Sequence, residues 1–226
     1  MRRVFALVFL FACNTAPPPQ AWPAGNYCVL RDGGSCPRAT NGEFQEGSIV
    51  IDTDAGMQLR GSHGASRETD QQDGLLSIEV CCGTFDDTGE AFPPESFVVL
   101  AGGVGAGAVS CPVGFTPGSV YIDAEDTEVF GDYANSSVSG SVGATTITVN
   151  RNVDMIVCES GANLGGVAMP RASYCVFGGR GGCPEGFSSG VIESYDETSG
   201  NKNELTGTVG GVTQQGAATT FPVCCY

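Results

Sequence analysis

The sequence predicts an all-β domain built from three pseudo-symmetric copies stapled by disulfides. Three observations predict it. The chain has 226 residues with 34 glycines, only 15% charged residues, and no stretch of helical periodicity. Short runs rich in β-branched residues are separated by Gly, Pro and Asp, the punctuation of antiparallel strands. A phrase is also written twice, "YCVLRDGGSCP" from Tyr27 to Pro37 and "YCVFGGRGGCPEGF" from Tyr174 to Phe187, with the cysteines at identical spacing. Finally, ten of the eleven cysteines fall at positions that the copies share or lose together.

In chain order, "MRR" is a basic leader and "VFALVFLFA" (Val4 to Ala12) an apolar stretch. Such a segment rises only about 14 Å as a helix, too short for a bilayer core of about 30 Å, and reads as a signal peptide over residues 1–12. "LFAC" (Leu10 to Cys13) resembles the lipobox of bacterial lipoproteins, with lipid on the Cys13 sulfur and a Pro-rich tether over residues 13–21. The alternative is an ordinary secretory signal that happens to contain a cysteine. Removing Cys13 leaves ten cysteines, an even number, as an oxidised exported chain requires.

Residues 22–226 form the domain, with copies at 22–90, 91–168 and 169–226. Copy one runs through "GSIVIDTD" (Gly47 to Asp54), "LRGSHG" (Leu59 to Gly64) and "LLSIEVCC" (Leu75 to Cys82). Copy three repeats the order with "GVIESYDET" (Gly190 to Thr198), "LTGTVG" (Leu205 to Gly210) and "TTFPVCC" (Thr219 to Cys225). Copy two opens at "SFVVLAGG" (Ser96 to Gly103) and passes "CPVGF", "GSVYIDAED" and "VSGSVG" before "MIVCES" (Met155 to Ser160). About four strands per copy are expected. No copy is large enough to bury its own core, so the three should pack about a pseudo-threefold axis, as a β-prism or, alternatively, a β-trefoil.

The same alignment assigns the disulfides. Copy two carries Val98 where the others have Cys28 and Cys175, and Glu159 where they have Cys82 and Cys225. Cysteines lost together are read as bonded together. The pairs are then Cys28–Cys82, Cys36–Cys81, Cys111–Cys158, Cys175–Cys225 and Cys183–Cys224. Adjacent strand residues point to opposite faces, so the two cysteines of each "CC" take partners on two sides. The rival is a vicinal Cys81–Cys82 bond, which needs a strained geometry and leaves copy two unexplained.

Taken together, "AWPAGNYCVL…GGSCP", "SYCVFGGRGGCPEGFSSGVIESYDETSGNKN" and the terminal "CC" resemble the C-terminal (ApeC-like) domain of apextrins, over essentially Trp22 to Tyr226. "FPPESFVVLAGG" is similar to that domain's Phe-rich repeat. The resemblance implies a non-catalytic recognition module for surface glycans or peptidoglycan-like cell-wall ligands, acting in adhesion or defence. A related resemblance is to the β-prism modules at the C-terminus of apicomplexan perforin-like proteins, which bind membranes.

Charge narrows the partners. The formal charge is −15, a surface that repels phosphate backbones and anionic lipid heads, so nucleic acid and anionic membranes are excluded as expected partners. Acidic residues recur after the second strand of each copy: Asp52 and Asp54; Asp123, Glu125 and Asp126; Asp196 and Glu197. Oxygen-rich loops of this kind can hold Ca²⁺, although Asp also simply forms turns there, and no other cofactor is expected. His63, the sole histidine, reads as a surface-loop residue in "GSHGAS" rather than a catalytic base, and no nucleophile motif or zinc spacing accompanies it. "NSS" (Asn135 to Ser137) is a glycosylation sequon in a eukaryotic host. Trp22, the sole tryptophan, reads as pinning the chain end to the domain, with sugar stacking as the alternative. The expectation is an exported recognition protein, a cell-surface or outer-membrane lipoprotein in a bacterium and otherwise secreted. A structural or adhesive envelope protein is the alternative.

Overall fold

The computed structural model describes residues 18–53, 57–70, 74–89, 91–103, 109–124, 136–148, 152–161, 164–166, 168–195 and 202–226. Among these the chain is all-β. Copy one contains β1 (Gly25–Arg31), β2 (Gly42–Asp52), β3 (Met57–Gly61), β4 (Arg67–Asp70) and β5 (Leu75–Phe85). Copy two contains β6 (Phe97–Ala101), β7 (Phe115–Ile122), β8 (Ser137–Gly140), β9 (Thr145–Ile147) and β10 (Val153–Ser160). Copy three contains β11 (Tyr174–Gly178), β12 (Ser188–Tyr195), β13 (Glu204–Gly207), β14 (Thr213–Gln215) and β15 (Ala218–Cys225). Each copy thus has five strands rather than the expected four. The extra one is the fourth, only three or four residues long, too short for a period-2 pattern to show.

Pairing follows one rule throughout. Within each copy the fifth strand pairs antiparallel with the first, second and fourth. Between copies the third strand crosses to a neighbour's second: β3 pairs β12, β8 pairs β2, and β13 pairs β7. The first strands β1, β6 and β11 pair with one another in all three combinations. Their registers superpose: Leu30↔Cys175, Leu100↔Cys28 and Phe177↔Val98. Strand exchange and mutual pairing of the first strands join the three copies in one continuous sheet.

Glycine makes the exchange possible. In "GSHG", "GSVG" and "GTVG" both glycines of every copy have positive φ, between 61° and 71°. That region is open to glycine and strained for other L residues. There is also no room for a side chain. A Cβ on Gly47 would lie 1.9 Å from the Ser141 carbonyl oxygen, on Gly118 2.3 Å from that of Thr208, and on Gly190 2.0 Å from that of Ser62. The amides after the turns close the joints, with Ala65, Ala144 and Gly211 donating to the carbonyls of Arg31, Ala101 and Gly178 at 2.8–3.0 Å.

The strands bury two cores on their two faces. One is aliphatic, including Leu30, Ile49, Ile51, Ile78, Leu100, Val120, Val157, Ile192 and Phe221. The other is aromatic and includes Trp22, Tyr27, Phe44, Phe85, Phe92, Phe97 and Tyr174. The five disulfides are Cys28–Cys82, Cys36–Cys81, Cys111–Cys158, Cys175–Cys225 and Cys183–Cys224, the pairs given by the repeat alignment. Cys82 and Cys225 bond within the aliphatic core, whereas Cys81, Cys158 and Cys224 bond within the aromatic one. Alternation along the strand sends the adjacent cysteines to opposite faces.

Candidate functional site

Two of the acidic positions after the second strands, Asp52 and Asp123, help hold loops of a neighbouring copy in place. Asp52 ends β2, and its amide donates to Ser136 Oγ of copy two at 3.0 Å. Asp123, just past β7, receives the Lys202 amide of copy three on Oδ2 at 2.8 Å, and its own amide donates to Asn203 Oδ1 at 2.6 Å. Both aspartates are buried, at 5% and 4% exposure. Asp54, Glu125, Asp126, Asp196 and Glu197 lie outside the described residues, as do Cys13 and Asn135. One cluster, Asp32 with Cys175 and Cys225, has metal-like spacing, but the two sulfurs are joined in a disulfide and offer no thiolate.

Two single residues sit differently from one another. Trp22 is fully buried, packed edge-on to Phe44 at 4.7 Å and to Tyr174 of copy three at 4.8 Å. Asn41 clamps its backbone, accepting from the Trp22 amide at 2.8 Å and donating to its carbonyl at 2.7 Å. Trp22 therefore pins the chain's entry to the domain. His63, expected in a surface loop, is half-buried, and Nδ1 is shielded without a hydrogen-bond partner. The reason is positional. In "GSHG" it occupies the place of the buried Val142 and Val209, so the turn that carries strand exchange draws it inward.

Buried titratable groups follow the copies too. Tyr27 and Tyr174 occupy one equivalent position in the aromatic core, where burial pushes both phenols well above their ordinary value and a neighbouring phenol adds to the effect. The Tyr27 hydroxyl donates to the Pro23 carbonyl at 3.0 Å, while that of Tyr174 has no partner. Burial also raises the Asp154 carboxyl, whose Oδ1 makes no hydrogen bond.

The position vacated by the missing cysteines is filled. Val98 and Glu159 face each other in the β6–β10 register. Glu159 is buried, accepting from the Gly210 amide at 3.1 Å and from Ser96 Oγ at 3.3 Å, with Arg180 Nε at 4.0 Å. A carboxylate thus ties copy two to copy three where the other copies carry a bridge.

A cleft of about 240 Å³ opens where copies one and three meet, beside a larger one of about 480 Å³ that shares Gln20 and Arg171. Asp32, Ser35 and Arg38 line the smaller cleft from the loop after β1, and Arg171 and Ser173 from the segment before β11. Gln20 joins the walls. Its amide donates to the Arg38 carbonyl at 3.4 Å and its carbonyl receives the Thr40 amide at 3.0 Å. Its side chain accepts from the Arg171 amide at 2.9 Å and donates to the Arg171 carbonyl at 3.3 Å. Sequence reasoning had not singled these residues out. The signal lay in comparing "CPR", "CPV" and "CPE" after the shared Cys36, Cys111 and Cys183, and "WPA", "FPP" and "MPR" at the start of each copy.

Compared with known proteins, the chain matches no family model, and neither a curated protein nor a solved structure matches it.

Proposed function

We propose that the chain is an exported, non-catalytic recognition module that binds surface glycans or cell-wall components. The observation that carries this reading is the cleft at the junction of copies one and three, held open on a scaffold of exchanged strands and five disulfides. A rigid frame presenting a small cleft with a few polar groups converging on it binds without paying much ordering entropy. Five disulfides fit an oxidising, extracellular setting, and no helix among the described residues is long and apolar enough to cross a membrane. The leader over residues 1–12 and "LFAC" support export, with anchoring through Cys13 in a bacterial host. The apextrin-like phrases support the same class of ligand. A glycan array probed with the purified, oxidised chain tests the reading. Saturable binding to a defined subset of glycans is expected, and an inert profile would favour a structural envelope protein instead.

A further inference from the structure

The three copies create three equivalent junctions, and their chemistry differs. The loop after the first strand of one copy meets the segment that enters, or the first residues of, the first strand of another. Copy one's loop meets Arg171 to Ser173. Copy two's loop meets copy one, with Gly102 donating its amide to the Asn26 carbonyl at 3.0 Å and Pro112 against Gly25. Copy three's loop meets copy two, with Gly179 packed on Ser96.

At the residue after Cys-Pro these junctions carry Arg38, Val113 and Glu185, and at the residue after the second Pro-bearing phrase they carry Arg171, Ala24 and Pro94. Two arginines therefore converge on one junction, while the others have neutral or acidic residues there. The chain is otherwise strongly acidic, at −15 overall. Arg31, Arg60, Arg67 and Arg180 each face a glutamate, whereas Arg38 and Arg171 form no ion pair with a described residue. Both are exposed. Gln20 bonds the backbone of each arginine at once, so the fold holds the two residues on facing walls of one cleft.

We propose that this junction is a binding site for a carboxylate-bearing sugar, a uronic acid residue of an acidic glycan, with Arg38 and Arg171 gripping the carboxylate. The inference rests on the glycan-recognition reading and names its ligand class and site. Guanidinium presents paired donors that match a planar carboxylate, and two of them on one cleft fit a single anionic group with geometric specificity. Asp32 and the hydroxyls of Ser35 and Ser173 supply acceptors and donors for ring hydroxyls. Ser173 Oγ already donates to Asp32 Oδ2 at 3.2 Å, which orients the carboxylate. A cleft of about 240 Å³ has room for one sugar ring. The acidic remainder of the surface disfavours polyanions with phosphate at every unit, so recognition is confined to an end or an isolated residue.

The test titrates the oxidised chain with glucuronic and galacturonic acid and with their neutral parent sugars, followed by NMR or calorimetry. The site predicts uronate binding that weakens as salt rises, with no comparable binding of the parent sugars. R38Q/R171Q should lose at least about tenfold in affinity with an unchanged melting temperature, because both side chains are exposed. R38K/R171K should also weaken it, since lysine keeps charge and loses the planar fork. R60Q, at an arginine paired with Glu193, should bind as the parent does. Uronate binding untouched by R38Q/R171Q would overturn the site. Inorganic sulfate bound as tightly as uronate and with the same arginine dependence would overturn the sugar assignment. Array binding to neutral glycans that survives in R38Q/R171Q would overturn this inference and leave glycan recognition standing, whereas an inert array and silent titrations would overturn both.

Discussion

The middle copy and its two outer neighbours show how one fold tolerates the loss of a staple. Copies one and three each pin the first strand to the fifth with a bridge inside the aliphatic core, Cys28–Cys82 and Cys175–Cys225, with Cα atoms 3.9 and 4.0 Å apart. Copy two keeps the register and replaces the bridge with Val98 beside Glu159. The valine preserves apolar volume, and the glutamate recovers stability through the Gly210 amide and Ser96. Hydrogen bonds to a charged group are worth about 1.5–3 kcal/mol, against about 4 kcal/mol for a loop of this length in the chain-entropy model. Copy two is thus held by pairing and by its neighbours more than by its own covalent links.

The comparison is broken most severely by removing the bridge that copy two retains. C111A/C158A opens a loop of 47 residues and should cost about 4 kcal/mol, measured by denaturant unfolding of the oxidised protein. Hydrogen exchange should accelerate first in β6, β7 and β10. A uniform rise across all three copies would mean that copy two is not the weakest of them.

A smaller loss is expected where copies interlock. In G143A the new methyl would lie 2.3 Å from the Ala101 carbonyl oxygen and 2.7 Å from Cys28 Sγ, at a φ of +61°. Crowding a packed core costs about 1–3 kcal/mol, and the backbone strain adds to it. The melting temperature should fall, whereas G34A, with open space around its Cβ, should leave it unchanged.

The smallest effect concerns the phenols that copy two lacks, since Phe97 stands where the outer copies have Tyr27 and Tyr174. Both phenols are raised above their ordinary value of 10.0 in the fold. The unfolded chain therefore ionises first, so their contribution is complete below pH 10 and is lost as pH rises through the folded values. Y174F removes a buried hydroxyl that has no partner and should be neutral or slightly stabilising at pH 7. Y27F, which loses the bond to Pro23, should cost about 1 kcal/mol. The double variant should flatten the alkaline limb of the stability profile, and an unchanged limb would remove these tyrosines as its cause.

What the sequence made legible follows from which features repeat. The copies, the disulfide pairs and the landmark "GxxG" turns were visible because five landmarks recur in order. Strand exchange was not visible, since "LRGSHG" reads the same whether Leu59 pairs within its copy or, as found, with Ile192 of copy three. The half-buried place of His63 was hidden because polarity suggested a loop, while its buried equivalents Val142 and Val209 point inward. The arginine cleft depended on departures from the repeat, which an alignment built on its similarities passes over. For the acidic loops, only Asp52 and Asp123 fall among the described residues, and both tie loops of a neighbouring copy.

The central claim is that copy two is the same unit with one bridge deleted. V98C/E159C tests it most directly, followed by non-reducing digestion and mass mapping. Directly opposed strand residues put their Cβ atoms within reach of a disulfide, so the two introduced cysteines should bond to each other under oxidising conditions. The five native bridges should remain as they are, and the melting temperature should rise by several degrees. Free thiols at both positions, or an introduced cysteine joined to Cys111 or Cys158, would contradict the equivalence of the three copies.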